Sequence, residues 1–466
     1  MFPSSTYIAR RAALKKALGS GIVLLPGNGE SPANYADNCY RFRQDSTFLY
    51  YFGLDYAGLS AVIDIDRDRE IIYGNELSID DIVWTGPMPT LAENARRAGV
   101  GIIQAPSALE DCLARAAAQG RKIRYLPPYR AEHTLLLASL LGKEPSAVAA
   151  GADLELILAV ADMRSHKSAE ELEAIETAVD ISTEMHLEAY RTVRPGVHEA
   201  EVAAAVRRVA SCREGTDLAF PTIATVAGEV LHNHGFVHTL QAGQIFLLDA
   251  GAEEGHHYAG DLSSSMPVSE KFDVRQELIY SIHLRSFEAA VEQLRPGNPY
   301  RNVHLAAASA IAEGMIDLGL MKGDPREIAE SGAYALVFPC GTGHMMGLDV
   351  HDMENLGEQY VGYAPGEKKS TQFGFKSLRL ARPLESGYVF TVEPGIYFIP
   401  ELIDRWRAEG RFEQFINYGK FDAWRDFGGL RNELDYLITD TGARRLGRLR
   451  KPMTLEEVYA AKEGRF

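Results

Sequence analysis

Four carboxylates stand on or at the ends of strongly apolar, strand-like runs, and this constrains the chain more than any other feature. Residues 245–248 run into Asp249-Ala250-Gly251, and His257-Tyr258-Ala259-Gly260-Asp261 follows after a short connection. Residues 389–392 run into Glu393-Pro394-Gly395, and a last strand reads through Arg431-Asn432-Glu433, with Asp435 and the apolar Leu437-Ile438 behind it. A carboxylate in such a place is costly to desolvate unless it is paired, protonated or bound to metal. Each has an ordinary alternative. Asp249 before Ala-Gly can be a turn residue or helix cap, Glu393 before Pro-Gly an exposed strand end, and Glu433 a surface ion-pair partner. The same strand context in two parts of the chain favours one shared site over four coincidences.

Those two parts share a grammar. A helix ends at Arg194-Pro195-Gly196 and another follows through Val202, Val206 and Val209; a helix ends again at Arg295-Pro296-Gly297 and another runs from about 303 to 318. Pro then Gly is an ordinary helix stop, so one match means little. Two matched units, each followed by β-rich sequence, point to an internally duplicated α/β fold, with coincidence as the competing reading. Ser168 and Glu171 form a capping box ahead of the stripe Leu172, Ile175, Val179 and Met185, so a long helix opens this domain. The boundary is placed near 163–167, giving domains 1–163 and 164–466, as a length of 466 residues suggests.

The first domain alternates expected strands at 21–25, 59–65, 71–73, 101–104 and 123–126 with expected helices at 90–98, 107–118 and 131–141. That is an α/β layer pattern, without a phosphate-cradling glycine loop. Arg10, Arg11, Lys15 and Lys16 precede only a short apolar run at 22–25, too short to span a bilayer and followed by no cleavage site. The net charge of −16 and the lack of a basic tract argue against nucleic-acid or membrane partners. Cys39, Cys112, Cys212 and Cys340 are scattered, with no CxxC spacing. A reducing cytoplasm fits better than a disulfide framework.

His344, in Gly341-Thr342-Gly343-His344, adds a nitrogen donor where glycines let the backbone pass close to a site. Taken alone it can equally be a satisfied core histidine. With Asp249, Asp261, Glu393 and Glu433 it suits a dinuclear centre of divalent ions, Mn²⁺ most naturally, with Zn²⁺ or Co²⁺ also compatible. Two such ions about 3.5 Å apart can share a hydroxide and polarise a carbonyl, the usual logic of metal-assisted hydrolysis.

The blocks LLDAG (247–251), HYAGD (257–261), GTGHMMGLDVHD (341–352), TVEPGIY (391–397) and LRNELDYLIT (430–439) resemble the pita-bread metallopeptidases. Within that group they are similar, in order and spacing, to aminopeptidase P and prolidase, which cut next to proline. YRFRQDSTFLYYFGL (40–54) resembles the creatinase-like N-terminal domain of these Xaa-Pro enzymes, so the likeness covers nearly the whole chain. It implies that Asp249 chelates one metal, that Asp261 and Glu433 bridge both, and that His344 and Glu393 complete the second. Glu393 would also act as general base. His232 and His351 match substrate-side histidines, suited to hydrogen bonding and proton movement near neutral pH. Arg431 matches an arginine suited to a carboxylate partner or a substrate terminus. His234, His238, His256 and His257 are expected not to be ligands.

The implied activity is metal-dependent cleavage between an N-terminal residue and a following proline, of aminopeptidase P type. Prolidase is the alternative, because the segment 397–415 is similar to prolidases. A creatinase-like hydrolase and a non-catalytic binding protein are more distant readings. A homodimer or homotetramer is also implied, and Trp84-Thr85-Gly86 resembles a tryptophan that reaches a neighbouring subunit's site, although a plain surface tryptophan reads equally well. The chain departs from the family pattern in three places: Cys340 replaces a histidine four residues before the ligand, residues 262–267 read Leu-Ser-Ser-Ser-Met-Pro, and Asn432 and Leu434 flank Glu433. These put the substrate cradle, and not the metal set, in question.

Overall fold

The run Ile22–Pro26 is buried over its first four residues, as expected of a strand covered on both faces. It belongs to a five-stranded sheet ordered Ile102–Gln104, Arg69–Tyr73, Ser60–Asp64, Ile22–Pro26, Ile123–Arg124. The inner pairs are antiparallel, with Ile22 opposite Asp64 and Ser60 opposite Tyr73, and both edge pairs are parallel. On one face Ile22, Leu24 and Val62 pack against Leu109, Leu113 and Leu137 of the helices Ala108–Ala118 and Ala131–Leu141. The computed structural model describes residues Met1–Phe466 as two units: Met1–Arg164 with Glu354–Tyr360, which holds this sheet, and Ser165–Met353 with Val361–Phe466.

Several helices of the first unit lie outside the expected ones, and two of them bury polar groups. Ser4–Leu18 carries the basic residues Arg10 and Arg11, which are buried and donate to Tyr50 O at 3.0 Å and Tyr51 O at 2.7 Å. Those carbonyls belong to the helix Ser46–Phe52, capped by Asp45 accepting from Phe48 N and closed by Gly53 in the left-handed region at φ 64°.

In the second unit Ser168 and Glu171 form the expected capping box of the helix Ala169–Thr192, and the duplication extends to individual hydrogen bonds. Gly196 N donates to Leu240 O and Gly297 N to Leu384 O, both at 2.8 Å, from left-handed glycines at φ 90° and 81°. Three residues after each leucine stands another left-handed glycine, Gly243 or Gly387. Two residues later begin the strands Ile245–Asp249 and Val389–Val392. Asp249 ends the first, and Glu393 takes the same place after the second. Each strand pairs antiparallel with a neighbour, Ser263–Pro267 and Leu434–Ile438 respectively.

The expected strand through 431–433 is broken. Gly429–Arg431 pairs with Gly395–Tyr397, whereas Leu434–Ile438 pairs with Val389–Val392. Between them, Glu433 N donates to Ser263 O at 3.1 Å and Asn432 N faces His283 Nε2 at 3.2 Å. Bonding outside any one ladder interrupts the strand and places Glu433 at the crossing.

Candidate metal centre

Strand ends bring the carboxylates together. Asp261 N donates to Asp435 Oδ2 at 3.1 Å, fixing the approach to Ser263–Pro267. The His344 loop lies along the Glu393 strand: His344 N donates to Thr391 Oγ1 at 3.2 Å, and Thr391 N donates to His344 O at 3.0 Å. His344 Nδ1 contacts Met345 O at 3.1 Å. That turns Nε2 inward, 3.4 Å from Asp261 Oδ2 and 3.5 Å from Glu393 Oε1. Ligand atoms of Asp261, His344 and Glu433 all lie within 4.8 Å of one another.

Asp249 Oδ2 accepts from Arg431 Nη2 at 2.5 Å, while its Oδ1 is buried with no hydrogen-bond partner. A buried orphaned carboxylate oxygen is costly unless something outside the protein answers it. Burial, then the charge of Asp249, pushes the Asp261 carboxyl well above its usual range. Burial, then Asp261, Glu393 and Asp249, does the same to Glu433. Glu393 is also raised, by burial against the opposing pull of His344 and Arg431. One guanidinium cannot offset four carboxylates here. The donor set therefore fits divalent cations.

Arg431 is itself buried and has three partners. Besides Asp249, Nε donates to Ser263 Oγ at 2.9 Å and Nη1 to Tyr397 Oη at 2.8 Å. Of the two roles expected for it, the carboxylate partner is the one seen. His351 packs edge-on to His344, ring centroids 4.3 Å apart, with Nδ1 2.7 Å from Arg379 Nη1. Burial, then His344 and Arg379, lowers its pKa to about 2, so the ring is neutral. Accepting from Arg379 at Nδ1 puts its proton on Nε2. Burial and Arg431 likewise lower the pKa of His232, and burial with Glu393 raises the Cys340 thiol to about 12.

His232, Asp249, Asp261, Cys340, His344, His351, Glu393, Arg431 and Glu433 all line one cavity of about 210 Å³, walled on its apolar side by Phe220, Pro221 and Leu231. His234 lines it as well, whereas His238, His256 and His257 are engaged by Glu199, Glu254 and Glu253. Trp84 lies on the exposed helix Ile79–Thr85 of the first unit. Sequence reasoning assigned nothing to Tyr397, to Ser263, or to Lys451, a buried lysine on Ser263 O. Tyr397 stood inside a quoted motif, but nothing around Lys451 marked it as buried.

Residues 173–440 match the model of metallopeptidase family M24, and residues 7–125 that of the aminopeptidase P N-terminal domain. Human Xaa-Pro dipeptidase is 29% identical over 452 residues, covering 95% of this chain and 89% of its own. A probable Xaa-Pro aminopeptidase of Metarhizium acridum is 28% identical over 474 residues, covering 96% and 91%. Among solved structures, Escherichia coli aminopeptidase P with the inhibitor Pro-Leu superposes with a TM-score of 0.81 at 25% identity, over 100% of this chain and 99% of that one. Pseudomonas aeruginosa aminopeptidase PepP shares the fold, with a TM-score of 0.81 at 24% identity, over 100% and 99% of the chains. The chain belongs to metallopeptidase family M24, with a pita-bread peptidase domain behind an aminopeptidase P N-terminal domain.

Proposed function

We propose that this protein is an Xaa-Pro aminopeptidase of aminopeptidase P type, releasing the N-terminal residue from peptides with proline in second place. The observation that carries the reading is the single cavity in which the five donors meet His232 and His351. In the proposed arrangement Asp249 would hold one divalent cation, His344 and Glu393 would hold a second, and Asp261 and Glu433 would serve both. Mn²⁺ is the proposed ion; a zinc-substituted structure exists for Escherichia coli aminopeptidase P. Bound there, the cations supply Lewis-acid activation of water and carbonyl.

The side chains supply the rest. The Glu393 side chain is 20% exposed, against 7% for Asp261 and 14% for Asp249, which leaves it the most open of the three to water and substrate. Glu393 takes the proton of the attacking water and delivers it to the leaving proline nitrogen, which belongs to a tertiary amide with no N–H of its own. His351, with its proton on Nε2, donates a hydrogen bond to the substrate, and His232 on the rim steadies the scissile carbonyl. Arg431 positions Asp249. The neutral Cys340 thiol stands where the resemblance expects a histidine, which weakens recognition of the carbonyl or of proline.

Prolidase activity is the second reading. It is favoured by the human Xaa-Pro dipeptidase match and by the segment 397–415, which carries the helix Pro400–Ala408. Assembly as a homodimer or homotetramer is proposed through the helix Ile79–Thr85, on which Ile79, Val83 and Trp84 are 73%, 73% and 86% exposed. All four cysteines are free, which supports a cytoplasmic site, and no helix is long and apolar enough to cross a membrane. Incubating Mn²⁺-loaded protein with matched Xaa-Pro and Xaa-Pro-Yaa peptides decides between the two activities. Release of the first residue from the tripeptide establishes the aminopeptidase; cleavage of the dipeptide alone establishes prolidase.

A further inference from the structure

The residue three places after each RPG glycine opens the second helix of its half, and in both halves its side chain reaches into a functional loop. In the second half it is Tyr300, whose hydroxyl donates to Thr391 O at 2.6 Å and lies 3.1 Å from Thr342 O. It thereby ties the His344 loop to the Glu393 strand. In the first half it is Glu199, fully buried, with no metal-ligand loop beside it. What it holds is the segment 225–238, which carries His232.

Its carboxylate collects five donors. Oε1 accepts from Thr225 Oγ1 at 3.0 Å, Val226 N at 2.9 Å and His238 Nδ1 at 3.0 Å. Oε2 accepts from Val237 N at 2.8 Å and His238 N at 2.9 Å. Both feet of the loop are thus bound to one carboxylate. Thr225, while donating to Glu199, accepts from Asn233 Nδ2 at 3.1 Å, and Asn233 is the neighbour of His232. Between the feet Gly228 is buried against Gly429 and Val230 N donates to Ala227 O at 3.1 Å, while the side chains of Val230 and His232 stay exposed.

We propose that Glu199 is a positioning residue for His232, closing the loop at both feet and fixing its crest through Thr225 and Asn233. The assignment rests on the role proposed above for His232. Burial alone would raise the Glu199 pKa, but hydrogen bonds from His238 and Val226 N–H, and from Thr225, hold it below the usual range. The group is therefore the full acceptor that five donors require. A neutral Gln offers one acceptor atom and, in either orientation, sets its N–H against a backbone N–H that can only donate.

The test compares metal-loaded wild type with Glu199→Gln and with Thr225→Val, a milder variant that removes the hydroxyl bonds to Glu199, Ala227 N and Asn233 but leaves the carboxylate with its other four donors. Amide hydrogen exchange over 226–238 should quicken at least tenfold in Glu199→Gln while metal content stays at the wild-type level, because the loop supplies no ligand. On an Xaa-Pro-Yaa peptide kcat/KM should fall about 10- to 100-fold, as for a displaced catalytic group. In a His232→Ala background neither variant should cost anything further, whereas a merely structural role would cost the same factor in both backgrounds. Unchanged exchange over 226–238, or an equal loss with and without His232, overturns the proposal. Should the wild type cleave no Xaa-Pro peptide, the function proposed above fails, and the exchange comparison still decides whether Glu199 clamps the loop.

Discussion

Gly343→Ala is the most informative single substitution at the metal centre. A Cβ on Gly343 would lie 2.1 Å from Thr391 O and 2.3 Å from Tyr300 Oη. Neither atom can swing aside: one is backbone in the Glu393 strand, and the other is the hydroxyl that donates to it at 2.6 Å. Reaching even the 3.0 Å that real Cβ contacts respect moves the His344 loop and the Glu393 strand apart by about 0.9 Å. Metal–ligand distances tolerate only about ±0.2 Å, so His344 and Glu393 would no longer serve one ion. Overpacking alone costs about 1–3 kcal/mol, and disturbed ligand support weakens metal binding about 10- to 100-fold. Gly442→Ala is the control, since nothing lies within 4 Å of its Cβ. Metal retained after dialysis against graded metal buffers should fall for Gly343→Ala and not for Gly442→Ala. A Gly343→Ala protein that holds metal as tightly as wild type refutes the reasoning.

Metal removal should reverse the pH response of stability. In the metal-free protein Asp261 and Glu433 have raised pKa values, so the folded state holds protons that the unfolded chain has released. Their contribution is present on the acid side and is lost as pH rises through the raised values. In metal-loaded protein, acid instead displaces the ions. Melting curves at stepped pH, with and without chelator, should therefore slope in opposite directions; parallel curves contradict this. Arg431→Lys cannot serve Asp249, Ser263 and Tyr397 together, and Arg431→Met leaves Asp249 buried and unpaired at a cost of about 3–5 kcal/mol. Denaturant melts check both, and wild-type stability in Arg431→Met would remove the pair from the account. Cys340→His should raise kcat/KM on Xaa-Pro peptides about tenfold, the worth of one good hydrogen bond. No change on any peptide would show that Cys340 has no part in recognition.

The carboxylates were legible because an acid at the end of an apolar strand has few places to go, and the RPG turns because left-handed glycines at Gly196 and Gly297 leave a residue signature. What composition hides is which polar groups turn inward. Arg10 and Arg11 read only as basic residues ahead of a short apolar run, yet their guanidiniums satisfy Tyr50 and Tyr51 carbonyls in the interior. The break falls in the polar run Arg431-Asn432-Glu433, and nothing in that run shows that the backbone bonds change partners there. Glu199 and Tyr300 escaped notice for a related reason. Their place after the RPG turn is shared, but the one is acidic and the other aromatic, so no motif links them.

The most direct test of the account is a metal titration of chelator-stripped protein, following release of the first residue from an Xaa-Pro-Yaa peptide. The account predicts no release without metal and a rate that climbs to a plateau at two Mn²⁺ per chain. Cleavage that persists without metal, or two ions bound with no cleavage, would contradict it.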